Sequence, residues 1–196
     1  MRAPLLTSLI LLAAAGGRFG AAKPRVLLKT RLGPVVLELE PDAAPRTTDN
    51  FIRYVKKGFY NGTIFHRVIA GFMIQGGGFT SDLVEKPTDP PIPNEARAAA
   101  KVGLRNVRGT IAMARTSNPD SATAQFFINT VDNPALDPRG EGAAGAGYCV
   151  FGKVVDGMTA VEKIEKVNTL PRHGMENVPE LPVKILSAEV LAPTQE

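Results

Sequence analysis

The chain has 196 residues, 44% of them hydrophobic, with 23 basic and 19 acidic side chains and a formal net charge of +4. Such a length is most simply one domain able to bury a core. No dense basic block or basic amphipathic helix gathers the excess charge, so the pI near 9.3 gives little support for nucleic acid or a membrane surface, and neither is expected as a partner.

In chain order, residues 1–22 read as a secretory signal. Arg2 gives a positive start, Leu5 to Ala15 is an apolar run, and Gly20-Ala21-Ala22 supplies small residues for cleavage before Lys23. The run is shorter than the roughly 20 residues that span a bilayer. The expectation is a secreted or periplasmic domain of residues 23–196, free of the membrane once the signal is cleaved. Losing Arg2 and Arg18 leaves 21 basic against 19 acidic residues, a nearly neutral product.

Val26 to Thr30 and Val35 to Glu40, separated by Arg31-Leu32-Gly33-Pro34, predict a hairpin. Pro45 near a helix start, Phe51, Ile52 and Val55 on one face, Lys56 and Lys57 in the last turn and Gly58 after it predict a helix. Short strands are expected at 63–69, 72–76, 110–115, 126–130 and 149–155. A second helix is expected after Asp156 as cap, with Val161, Ile164 and Val167 on one side, then a last strand over Val183 to Leu191. Many short strands and two helices argue for an antiparallel barrel or sandwich. Residues 79–109 and 131–147 show no clear periodicity and read as long loops, a length that tends to be functional. No heptad or large amphipathic face appears, which leaves a monomer as the default.

Ordinary catalytic constellations are missing. His66 and His173 have no convincing partners, Ser121 lacks a nucleophile-elbow context, and no cysteine cluster or His-x-x-x-His spacing suggests a metal or another cofactor. Cys149 sits in an apolar strand pattern and reads as a buried, inert thiol. Gly76-Gly77-Gly78 lacks the Gly-Lys-Ser/Thr of a phosphate loop and reads as a turn or bulge. Asn61-Gly62-Thr63 is a glycosylation sequon that also suits a turn.

The segment Phe65-His66-Arg67-Val68-Ile69-Ala70-Gly71-Phe72-Met73-Ile74-Gln75 places an arginine among apolar side chains. A buried guanidinium is costly unless its donors are used, either by nearby carbonyls or by a ligand. Together with Thr110-Ile111-Ala112-Met113-Ala114-Arg115-Thr116, Ser121 to Asn129 and Tyr148 to Met158, this segment resembles the cyclophilins, the peptidyl-prolyl isomerase family. The likeness runs in order from about Val26 to Leu191 and is strongest to the bacterial exported branch.

The resemblance implies a mainly β fold, a closed eight-stranded antiparallel barrel with an α-helix over each end. It implies a cofactor-free peptidyl-prolyl isomerase acting on proline-containing, unfolded or partly folded chains. Arg67 would be catalytic, donating to the twisted X–Pro amide, and Phe72, Met73, Phe127 and Leu136 would line the proline slot. Gln75 would hold the arginine and the substrate. Gln125 would border the groove, and the backbone of Ala114 and Arg115 would pair with the extended peptide, a mode largely insensitive to side chains.

Three departures qualify that carry-over. Ala135 stands where many eukaryotic members have tryptophan, Tyr148 where they have a groove histidine, and Arg115 where asparagine is frequent. Weak cyclosporin binding is therefore expected. Two other readings stay open: a binding module or chaperone using the groove without turnover, and a β-barrel carrier. Against the carrier, Val36, Ile111, Met113, Phe126 and Ile128 look like interior filling.

Overall fold

A computed structural model describes residues 22–140 and 142–192; all but Ala22 of the expected signal lies outside them. Eight strands close a barrel. β1 (Arg25–Thr30) and β2 (Gly33–Leu39) form the opening hairpin, followed by helix α1 (Pro45–Lys56) and strands β3 (Ile64–Ile69) and β4 (Met73–Gly76). A short helix α2 (Ala96–Lys101) precedes β5 (Thr110–Met113) and β6 (Phe126–Asn129). A 3-10 turn over Pro134–Leu136 leads to β7 (Val150–Asp156), helix α3 (Met158–Glu165), the hairpin β8 (Thr169–Arg172) and β9 (Met175–Pro179), and β10 (Val183–Leu191). The barrel order is β1-β10-β3-β4-β6-β5-β7-β2, every pairing antiparallel, while β8 and β9 form a separate two-stranded sheet.

Alternation along the strands fills the interior. Leu28, Leu37, Ile74, Ile111, Phe126 and Ile128 are all fully buried in the central cluster. Val36, expected among that filling, is only half-buried; its neighbours Val35 and Leu37 take the inward positions. The hairpin register had to place one or the other inside, because side chains on a strand alternate. At the α1 end, Phe51 packs on Tyr60, Phe126 and Phe151 with ring centroids 5.2–5.6 Å apart.

Helix α1 follows β2 at one end of the barrel, and α3 follows β7 at the other. No acidic residue lies in the first turn of α1; Glu95 caps it from far along the chain, accepting from the backbone N–H groups of Arg46 (3.2 Å) and Thr47 (2.8 Å). Asp156, expected to cap α3, is instead the last residue of β7, and Gly157 takes the cap with φ +87° and no side-chain bond. A Cβ there would stand 2.1 Å from the Pro34 carbonyl oxygen, so the close approach of α3 to the β1–β2 turn requires glycine.

Two expectations need correcting. There are three α-helices among the described residues, not two, because α2 forms inside the stretch 79–109. It is one short run of strong helix formers, Ala-Arg-Ala-Ala-Ala-Lys, too brief to show a period. The β8–β9 hairpin was also unexpected, since Pro171 and Pro179 argue against strands; a two-stranded sheet has only edges, where proline is tolerated.

Candidate active site

A second apolar cluster lies outside the barrel, on the outer face of β4, β6 and β5. Met73, Ala112, Phe127 and Val150 are buried there, with Phe72, Leu136 and Tyr148 packed against them. Leu136 and Tyr148, from the segment after β6, pack against this outer face, and all four residues of β6 are buried. Between the strands and this segment is an open cleft with a volume of about 100 Å³. Phe72, Met73, Phe127, Leu136 and Tyr148 form its apolar walls, and Arg67, Gln75, Ala114 and Arg115 complete its lining. Of the residues assigned to a groove from the sequence, Gln125 alone does not line the cleft; it sits behind Gln75.

A β-bulge aims Arg67 into this cleft. Phe65 pairs with Gly76 and Arg67 with Gln75, so the ladder slips between them and His66 is the extra residue. Without the slip, Phe65 and Arg67 would share a face, and the guanidinium would enter the barrel core beside a fully buried phenylalanine. His66 is displaced away from the cleft and packs on Phe79, centroids 4.6 Å apart.

Arg67 begins a one-way chain of side-chain hydrogen bonds. Its Nη1 donates to Gln75 Oε1 at 3.4 Å, Gln75 Nε2 donates to Gln125 Oε1 at 3.0 Å, and Gln125 Nε2 donates to Glu85 Oε1 at 3.1 Å. The ends fix the direction, because a guanidinium only donates and an ionised carboxylate only accepts. The other guanidinium donors of Arg67 are unengaged among the described residues. Gly78 makes room for the chain: a Cβ on it would lie 2.5 Å from Gln125 Cγ.

The far wall hangs on three buried asparagines. Asn133 Nδ2 donates to Phe72 O (2.8 Å) and to Asn129 Oδ1 (2.7 Å), and Asn129 Nδ2 donates to Asn106 Oδ1 (3.2 Å). Asn106 in turn donates its backbone N–H and Nδ2 to Asp137 Oδ1, at 2.8 and 3.0 Å. Phe72 and Leu136 are thereby tied to the end of β6 by bonds shielded from water.

The comparisons agree with this geometry. Residues 25–190 match the family model described as cyclophilin type peptidyl-prolyl cis-trans isomerase/CLD. The chain belongs to the cyclophilin family. It is 50% identical over 189 residues to peptidyl-prolyl cis-trans isomerase A of Dickeya dadantii, covering 96% of each chain. To peptidyl-prolyl cis-trans isomerase B of Escherichia coli strain K12 it is 54% identical over 166 residues, 84% of this chain and 98% of that one. A cyclophilin type isomerase of Cryptosporidium parvum, crystallised in the presence of the dipeptide Ala-Pro, superposes with a TM-score of 0.71 at 25% identity, covering 86% of this cyclophilin and 99% of that chain.

Titratable groups near the cleft of this cyclophilin are held in one state. Burial, then the neighbouring Arg67 charge, lowers the His66 pKa from 6.5 to about 4. The folded protein therefore keeps His66 neutral where the unfolded chain protonates it, and stability falls as pH drops below 6.5 towards 4. At about pH 5 this group alone lowers stability by about 2 kcal/mol relative to neutrality. Urea midpoints at the two pH values should show that loss, and His66→Phe should flatten it. Burial likewise pushes the Cys149 thiol up to about 12, against a smaller lowering by its bond to Thr47, so no thiolate is present for nucleophilic chemistry.

Three things escaped the sequence reading: Glu85, the asparagine relay and the slip at His66 that turns Arg67 outward. Glu85 carried no signal at all. The asparagines sat in or beside segments already quoted, and asparagine in a strand otherwise buried on both faces, as at Asn129, is the clue that could have found them.

Proposed function

We propose that this cyclophilin accelerates rotation about X–Pro bonds by holding the proline ring against Phe72, Met73, Phe127 and Leu136 while Arg67 donates to the twisted amide. The observation that carries the reading is a permanently charged fork, bonded only to Gln75 among the described residues and set beside an apolar slot. The barrier to rotation is the partial double bond of the amide, roughly 18–20 kcal/mol. Twisting removes conjugation and leaves the prolyl nitrogen pyramidal with a lone pair that a donor can bind. A donor there favours the transition state over both planar isomers, which is what speeds the reaction. An acceleration of about 10⁵-fold needs roughly 7 kcal/mol, within reach of one charged donor plus a positioned, partly desolvated substrate.

Gln75 supports that role by holding one Nη1 hydrogen and leaving the remaining donors to the substrate. Ala114 and Arg115 would offer backbone groups at the end of β5 to an extended chain. The Ala-Pro dipeptide present with the Cryptosporidium relative supports a proline-containing ligand. The apolar run Leu5 to Ala15 supports action outside the cytoplasm, on chains during or after folding. Measuring the cis-to-trans rate of a short Ala-Pro peptide with purified protein tests the reading; no acceleration by folded protein overturns it.

Cyclosporin should inhibit weakly. The chain contains no tryptophan, and exposed Ala135 on the 3-10 turn offers neither the ring face nor the N–H donor that an indole would supply there. Titrating isomerase activity with cyclosporin checks this, and inhibition at stoichiometric dose would contradict it.

A further inference from the structure

Arg115 is a second guanidinium in the cleft, and the isomerisation step as written makes no use of its side chain. Its Nε donates to Gly147 O at 3.0 Å and its Nη1 to Thr116 O at 2.8 Å. Its central carbon lies 4.5 Å from the centroid of the Tyr148 ring, which in turn meets Phe127 edge-on at 5.6 Å. The charge is thus fixed against the cleft wall by stacking and two carbonyls, with little rotamer freedom left to lose on binding.

No ion pair among the described residues includes Arg115 or Arg67. Glu85, the carboxylate tied into the amide chain, bonds to Gln125 and not to either guanidinium. Arg115 also lines the small adjoining crevice beside Asn94, Pro119 and Ala122, so it stands at the boundary between the apolar slot and its continuation. A half-buried, immobilised cation at that boundary is placed to meet the side chain next to a ring held in the slot.

We propose that the Arg115 side chain makes this cyclophilin selective for proline segments carrying a carboxylate on a residue adjoining the proline. The inference rests on the cleft being the substrate groove. Arg115 is here a specificity residue, its Nη2 group and remaining Nη1 hydrogen being the donors such a carboxylate would take. A lysine next to the proline meets the same charge unfavourably.

The test compares kcat/KM for short peptides identical except for Glu, Gln or Lys at the residue before the proline, with a second set varied at the residue after it. Wild type is expected to prefer Glu over Gln by about fivefold in one set, with Lys below both. The Glu-to-Gln ratio should fall towards one in about 0.5 M salt. It should fall likewise in Arg115→Gln, and Arg115→Lys should retain part of it. The ratio is the readout, because a general loss of activity or of folded protein leaves it unchanged. Equal rates for Glu and Gln in both sets of the wild type, or a preference that persists in folded Arg115→Gln, overturn the inference alone. Should folded wild type accelerate none of the peptides, the isomerase reading itself fails. If Arg115→Gln does not fold, the salt dependence of the wild-type ratio decides the matter.

Discussion

Arg67→Ala is expected to lower kcat/KM on an Ala-Pro test peptide at least about a hundredfold, a loss of about 2.7 kcal/mol of transition-state stabilisation. The loss should fall mainly on kcat, because the planar substrate needs the donor less than the twisted amide does. Stability should change little: Arg67 is half-buried, joins no ion pair among the described residues, and makes one long bond, 3.4 Å to Gln75. Thermal melts of the variant beside its kinetics separate the two effects. Arg67→Lys is a sharper version of the same test. It keeps the charge but not the planar fork, so if it restores most of the activity, a simple point charge suffices and the fork has no special part. Activity that survives Arg67→Ala would move the chemistry elsewhere in the cleft.

How much of this could be seen in the residues depends on which physical rule placed each one. The hairpin of β1 and β2, helix α1 and β10 follow from local periodicity and turn chemistry. The grouping of Phe72, Met73, Phe127 and Leu136 does not, because each alone fits a core; only the resemblance put them together, and the outer cluster now gives the reason. Met73 and Phe127 are outward residues of strands whose other face already fills the barrel, and Phe72 and Leu136 pack against them from the β3–β4 turn and the 3-10 turn. Alternation alone would misplace Arg67, since it sends Arg67 to the same side as Phe65. The slip at His66 reverses that, and a one-residue bulge leaves no compositional mark. Gly76-Gly77-Gly78 hinted at irregular backbone, and the structure gives each a different reason. Gly76 pairs with Phe65 at the bulge, Gly77 has φ +83°, and Gly78 leaves space for Gln125. Long-range bonds such as Glu95 to Thr47 and Asn106 to Asp137 lie beyond any local reading, because the partners are 48 and 31 residues apart.

Phe126→Ala is expected to destabilise the protein by about 3–5 kcal/mol, the usual range for removing a fully buried phenylalanine. Phe126 meets Phe51, Tyr60 and Phe65 edge-on, at 5.6, 5.5 and 6.1 Å between centroids. The space it leaves has little prospect of collapsing, since α1, β3 and the turn between them hold those rings. Its chain neighbour gives the contrast. Phe127 points to the other face of β6 and is part of the cleft floor, so Phe127→Ala should damage kcat/KM through the lost proline contact and lower stability less. Urea unfolding and peptide kinetics on both variants, at a temperature where each is folded, should therefore give opposite rankings. Equal destabilisation with equal loss of activity would mean that the two faces of β6 form one packed unit, and the separation of barrel core from cleft floor would be wrong.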